Sequence, residues 1–99
     1  MTNLAPHAMP VPTEEEIFAY LKRAVQTEMG FTAVQLEAVR PEATIAEGLP
    51  LDSLAQTVLI NRIESHFGIM FELEDWQQVR TIHDFACLIR QRIELKTPQ

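Results

Sequence analysis

The chain has 99 residues, 46% hydrophobic and 22% charged, with 14 Asp and Glu against 8 Lys and Arg, a net charge of -6 and a pI of about 4.9. That length builds one small domain with a modest core and little stability to spare. The acidic balance excludes sequence-independent nucleic-acid binding, which needs a basic surface to displace phosphate counterions, and a polybasic membrane anchor.

Residues 1–12 carry Pro6, Pro10 and Pro12 and no periodic pattern, which reads as a flexible leader, and they lack the basic start and apolar run of a secretory signal. Thr13 followed by Glu16 is a capping box, and Glu14 and Glu15 sit where the helix dipole favours negative charge. Ile17, Tyr20, Leu21, Ala24 and Val25 form one apolar stripe and Gly30 supplies a stop, which predicts a first helix over 13–29. Residues 31–51 contain Pro41, Gly48 and Pro50 and only scattered apolar anchors, Leu36, Val39, Ile45 and Leu49. They read as a long structured loop, and a loop of this length in a small domain usually has a purpose.

Asp52 opens a second helix as N-cap, with Ala55, Leu59, Ile63 and Phe67 as its core stripe and Gly68 as its stop. Leu54 and Val58 fall on the far side with Thr57, Asn61 and Ser65. Residues 72–79 read as a short helical turn with Trp76 and Val79 inward. Thr81 and Asp84 make another capping pair before the stripe Ile82, Phe85, Ala86, Ile89 and Ile93, so a last helix is expected over 82–94, with residues 95–99 as a flexible tail. Ile69-Met70-Phe71 is too short and unpartnered for a sheet. The expected fold is all-α, a four-helix bundle of three long helices and one short one over residues 13–94, with the long loop between the first and second helices.

No apolar stretch approaches the roughly 18 residues of a membrane span, so a cytoplasmic protein without membrane insertion is expected. A single cysteine, Cys87, rules out an intrachain disulfide and a Cys-rich zinc site. His7, His66 and His83 have no metal-site spacing, and Cys87 has no cationic neighbour to activate it, so neither a metal site nor a reactive thiol is expected. Ser53 follows the N-cap directly, which exposes its hydroxyl beside unpaired helix N–H groups that favour phosphate. A hydrolase built on Ser53 lacks the Gly-x-Ser-x-Gly elbow, because Leu51 and Ala55 stand at the glycine positions. No side chain is assigned a catalytic role. By residue chemistry alone, Asp-Ser at a helix start is most often a plain cap.

The wider pattern carries more. Asp52-Ser53-Leu54 with Leu49 upstream, Phe67, Ile69 and Phe71, and Val79-Arg80-Thr81-Ile82 leading into the last helix resemble the acyl carrier protein family. The resemblance spans residues 13–93, with 49–89 matching without a gap. It implies a four-helix carrier fold and a 4'-phosphopantetheine arm on Ser53, installed from coenzyme A by a separate phosphopantetheinyl transferase using magnesium, with Asp52 in support. The arm's thiol, not Cys87, would hold an acyl or aminoacyl group as a thioester. The chain would then be a monomeric carrier and no enzyme, served by an acyl- or aminoacyl-loading ligase and by downstream acyl-transfer enzymes.

Two departures bear on the partners. Pro50 stands where the family commonly has glycine, which stiffens the approach to Ser53. The second helix is poor in acids, reading Ala55, Gln56, Val58, Arg62, Ser65 and His66 with Glu64 as its main acid, unlike the strongly acidic helix of fatty-acid carriers. Leu54, Thr57, Val58, Asn61 and Arg62 are therefore expected as the docking face. Gly48-Leu49-Pro50-Leu51-Asp52-Ser53 is also similar to the Gly-Leu-Leu-Asp-Ser run of D-alanyl carriers, so aminoacyl cargo is a second expectation. The alternative function is an unmodified helical adaptor with the same fold.

Overall fold

The computed structural model describes residues 11–96. The chain forms α1 (Glu14–Met29), α2 (Ala33–Glu37), α3 (Ile45–Gly48), α4 (Ser53–Phe67), a 3-10 helix (Leu73–Gln78) and α5 (Ile82–Lys96), with no strand among the described residues. The α1 cap is as expected: the Glu16 N–H donates to Thr13 Oγ1 at 3.1 Å and the Thr13 N–H to Glu16 Oε1 at 2.8 Å. Gly30 and Gly68 stop α1 and α4 in the left-handed conformation that glycine adopts without steric cost.

Most of the expected stripes make the core, while Tyr20, Ala55 and Phe67 are only partly buried. Ile17, Leu21, Ala24 and Val25 of α1, Leu59 and Ile63 of α4, and Ile82, Phe85, Ala86, Ile89 and Ile93 of α5 are buried together, α1 packing chiefly on α5 and also on α4. Burying each large aliphatic side chain contributes roughly 1.5–3 kcal/mol, which is how a domain this small holds together. Leu88, off the expected stripe, is buried as well.

The connection 31–51 differs from the expected loop, because it holds two short helices. Each begins with a capping box of the α1 type, Thr32 with Gln35 and Thr44 with Glu47, too short to leave an apolar stripe. Backbone bonds stitch this connection to the start of α5: Ile45 N–H to Arg80 O and Ile82 N–H to Ala43 O at 3.0 Å, and His83 N–H to Pro41 O at 2.9 Å. Among the described residues the fold is thus all-α with three long helices and three short ones. α5 runs two residues past the expected end, so Leu95 and Lys96 are helical and not tail. Residues 1–10 of the expected leader lie outside the described residues, while Val11 packs against the core.

The 3-10 helix is clamped to α5. Arg92 grips Asp75 with two hydrogen bonds, 2.7 and 3.1 Å, and Asp75 also accepts from the Glu72 N–H at 2.7 Å. The Arg92 bond first, and the Glu72 N–H second, hold the Asp75 carboxyl below the ordinary carboxylate range. A pKa depressed on folding stabilises the fold above the unfolded value, about 3.9 for a free aspartate, and that contribution is lost as pH falls through the folded value. Thermal melts should therefore show Asp75→Asn less stable than the parent at neutral pH, with the gap narrowing below about pH 4. A gap that stays constant through that window would remove the linkage.

Candidate functional site

The site is built at the start of α4. Asp52 caps the helix, its Oδ1 accepting from the Ala55 N–H at 2.8 Å, and this fixes Ser53 as the first helical residue, exposed to solvent. The N–H groups at that end have no carbonyl four residues back, so an anion beside Ser53 meets donors and the positive end of the helix dipole. Thr57 Oγ1 donates to the Ser53 carbonyl at 3.0 Å and leaves the serine hydroxyl uninvolved in that contact. An exposed hydroxyl with this surround fits a phosphodiester-linked arm.

The approach to Ser53 is held firmly. Leu49 is buried, its N–H bonded to Ile45 O, and Leu51 N–H bonds back to Leu49 O, both at 2.8 Å. Gln56 closes the corner, its Nε2 donating to Leu51 O at 3.2 Å. Beside this corner opens a cleft of about 370 Å³ lined by Ile45, Leu51, Leu59, Ile60, Trp76 and Val79 among others. Trp76, expected inward, is half-buried and packs on Phe71 and Phe85 at ring distances of 5.0 and 5.7 Å. The long connection, α4, the 3-10 helix and α5 all contribute to this cleft, so no single stretch of sequence displays it.

The expected docking residues separate into two groups. Leu54 is 74% exposed and Val58 36%, and Thr57 and Asn61 are exposed with them. Arg62 instead reaches Glu28 of α1 at 3.4 Å and lines a hollow with Tyr20 and His66, so its charge is shared across helices. Glu64, read as the main acid of the exposed face, turns inward: its Oε2 accepts from the Phe71 N–H at 3.0 Å. It caps the turn after α4.

Cys87 is half-buried. Its thiol donates to Glu14 Oε2 at 3.3 Å, and burial first, then that carboxylate, pushes its pKa up. A thiol held in this way is a poor nucleophile. Sequence spacing did not show that His83 lies against the same pair.

The family described as the phosphopantetheine attachment site matches residues 19–89, most of the chain. The chain belongs to the acyl carrier protein family. It is 32% identical to the acyl carrier protein of Nitratidesulfovibrio vulgaris (strain Miyazaki F) over 72 residues, covering 73% of this chain and 91% of that protein. With the acyl carrier protein of Thermosynechococcus vestitus it shares 31% identity over 80 residues, 81% of this chain and 95% of that one. The meromycolate extension acyl carrier protein of Mycobacterium bovis is 29% identical over 91 residues, 92% of this chain and 75% of its own. The carrier bears a 4'-phosphopantetheine arm and holds acyl groups; it is not an enzyme, and the unmodified-adaptor alternative is not favoured. Among the described residues no helix is long and apolar enough to cross a membrane.

Proposed function

We propose that Ser53 bears the arm and that the cargo is an apolar acyl chain that lodges in the cleft beside Leu51. The observation that carries this reading is the cleft itself, apolar in lining and opening at the corner that leads into Ser53. Its volume stands at the lower end of small-ligand pockets, which run from about 300 to 1,000 Å³. An aminoacyl group would bring a charged ammonium to this lining and lose hydration without a partner, so the cleft disfavours the aminoacyl expectation. The names of the relatives point the same way, since those described above are acyl carriers.

When bound, the arm supplies a thiol whose thioester keeps the cargo ready for transfer. This chain's own residues hold the arm's root at a helix start and shelter the cargo. Leu54, Thr57, Val58 and Asn61 form the docking face for the phosphopantetheinyl transferase, a loading ligase and downstream acyl-transfer enzymes, with Arg62 at its rim. This surface is close to neutral, and its partners recognise apolar and polar contacts more than charge.

The sole tryptophan, Trp76, lines the cleft and reports occupancy. Loading the holo carrier with a medium-length saturated acyl group should shift Trp76 fluorescence, and loading with alanine should leave it near the holo value. Mass spectrometry of the thioester-bound group on protein from the native host decides the cargo class. Recovery of an amino acid there overturns the acyl reading.

A further inference from the structure

Three donors of different kinds converge where the first turn of α1 meets the start of α5. His83 and Cys87 lie four residues apart on one face of α5, and Glu14, the first residue of α1, faces them. Cys87 Sγ is 3.3 Å from Glu14 Oε2 and 3.4 Å from His83 Nε2, and His83 Nδ1 is 3.7 Å from Glu14 Oε1. One ligand atom from each residue can be chosen so that all lie within 4.8 Å of one another. Two ligands of a tetrahedral zinc ion, at the usual zinc–sulfur and zinc–nitrogen or zinc–oxygen lengths, stand about 3.5 Å apart. The two distances from the thiol are already the edges of such a tetrahedron.

The surroundings are net acidic. Glu15 lines the same hollow as Glu14 and His83, and Asp84 acts on Cys87 together with Glu14, against the single positive charge of Arg90. The positive end of the α1 dipole opposes a cation with about half a charge, less than the carboxylates set against it. Glu14 and His83 side chains are 42% and 53% exposed, so an ion has a way in and a water can take a fourth position.

We propose that Glu14, His83 and Cys87 form a binding site for a thiophilic divalent cation of the zinc type, stapling the start of α1 to α5. The sulfur, nitrogen and oxygen set selects such an ion over magnesium or calcium, which take oxygen ligands. On binding, the metal–sulfur bond replaces the S–H bond and the thiol proton goes to solvent, while the imidazole lone pair and one carboxylate oxygen complete the protein's share. The site is separate from Ser53 and does not depend on the arm.

Cobalt(II) spectroscopy and zinc calorimetry on the untagged full chain test this, together with a Ser53→Ala chain in which Cys87 is the only thiol. The expected result is one equivalent bound, a thiolate-to-cobalt charge-transfer band in both chains, and a higher melting temperature with zinc. Cys87→Ser should remove the band. His83→Ala should weaken zinc at least about tenfold, since losing even an outer-shell partner costs that much. Zinc should also slow alkylation of Cys87 in the unsubstituted chain, a readout that needs no variant to fold. Absence of the charge-transfer band, an unchanged alkylation rate, or zinc affinity that survives both substitutions overturns the site.

Discussion

Replacing Ser53 with alanine should abolish arm attachment completely while leaving the carrier folded. Ser53 is exposed at the first position of α4, and its carbonyl, not its hydroxyl, takes the Thr57 bond. Alanine is the better helix former, so stability should move by no more than about 0.5 kcal/mol. Intact mass after incubation with coenzyme A and a transferase reads the result directly: the parent gains one phosphopantetheine and Ser53→Ala gains nothing. A gain on the alanine chain would remove Ser53 as the attachment point.

Asp52 separates capping from chemistry in the same experiment. Asp52→Asn keeps an oxygen for the Ala55 N–H, whereas Asp52→Ala loses the cap at a cost of about 1 kcal/mol. If the carboxylate assists the magnesium-dependent transfer, the asparagine chain should melt like the parent and be modified more slowly. Modification at the parental rate would reduce Asp52 to a cap.

The second large effect is expected at Gly48, which is buried and packed for its lack of a side chain. A Cβ there would run into Ile82 Cδ1, stand 2.9 Å from the Ala38 carbonyl oxygen and 3.4 Å from Ala43 Cβ. A side-chain methyl can give way, but the Ala38 backbone gives far less. Gly48→Ala should therefore destabilise the carrier by about 1–3 kcal/mol through overpacking, a large share of the ~5–15 kcal/mol typical of a domain. Ile82→Val removes the Cδ1 atom and alone costs about 0.5–1.5 kcal/mol. Combined with Gly48→Ala it should cost less than the sum, because the space it vacates is the space the new methyl needs. The rescue stays partial, since the Ala38 carbonyl remains. Denaturant melts of the two single variants and the double variant measure the coupling; strict additivity would mean that the two groups do not compete for that volume.

Position 48 also connects packing to the site. Gly48 ends α3, Leu49 is buried behind it, and Leu51 leads to the Asp52 cap. A shift of α3 away from Ile82 is carried into the approach to Ser53, so Gly48→Ala should also slow arm attachment. Ile82→Val leaves that approach in place and should not.

What was legible from the chain was what is local. A capping box acts over three residues and an apolar stripe over a few turns, so Thr13 with Glu16, Asp52 and the stripes of α1, α4 and α5 declared themselves. The cap placed Ser53 at an exposed helix start, and the resemblance around Asp52-Ser53-Leu54 singled it out. The two short helices carried the same cap signal at Thr32 and Thr44, yet four or five residues cannot set up the periodicity that makes a helix evident. Other features depended on side chains meeting across helices. Glu64 was legible only as the main acid of the second helix until the turn after α4 folded back and presented the Phe71 N–H to it. Arg62 was expected on the docking face, and only the packing of α1 brought Glu28 alongside it. The cleft draws its walls from four parts of the chain, and the Glu14–Cys87 contact spans 73 residues. The sequence by itself determined the three long helices and their caps, and with them the position of Ser53 at a helix start, because hydrogen bonds between near neighbours decide these. Only the tertiary structure decided which charges are paired across helices, where an apolar cleft opens and which donors converge on α5, because each depends on burying apolar stripes against one another and accepting whatever side chains that packing brings together.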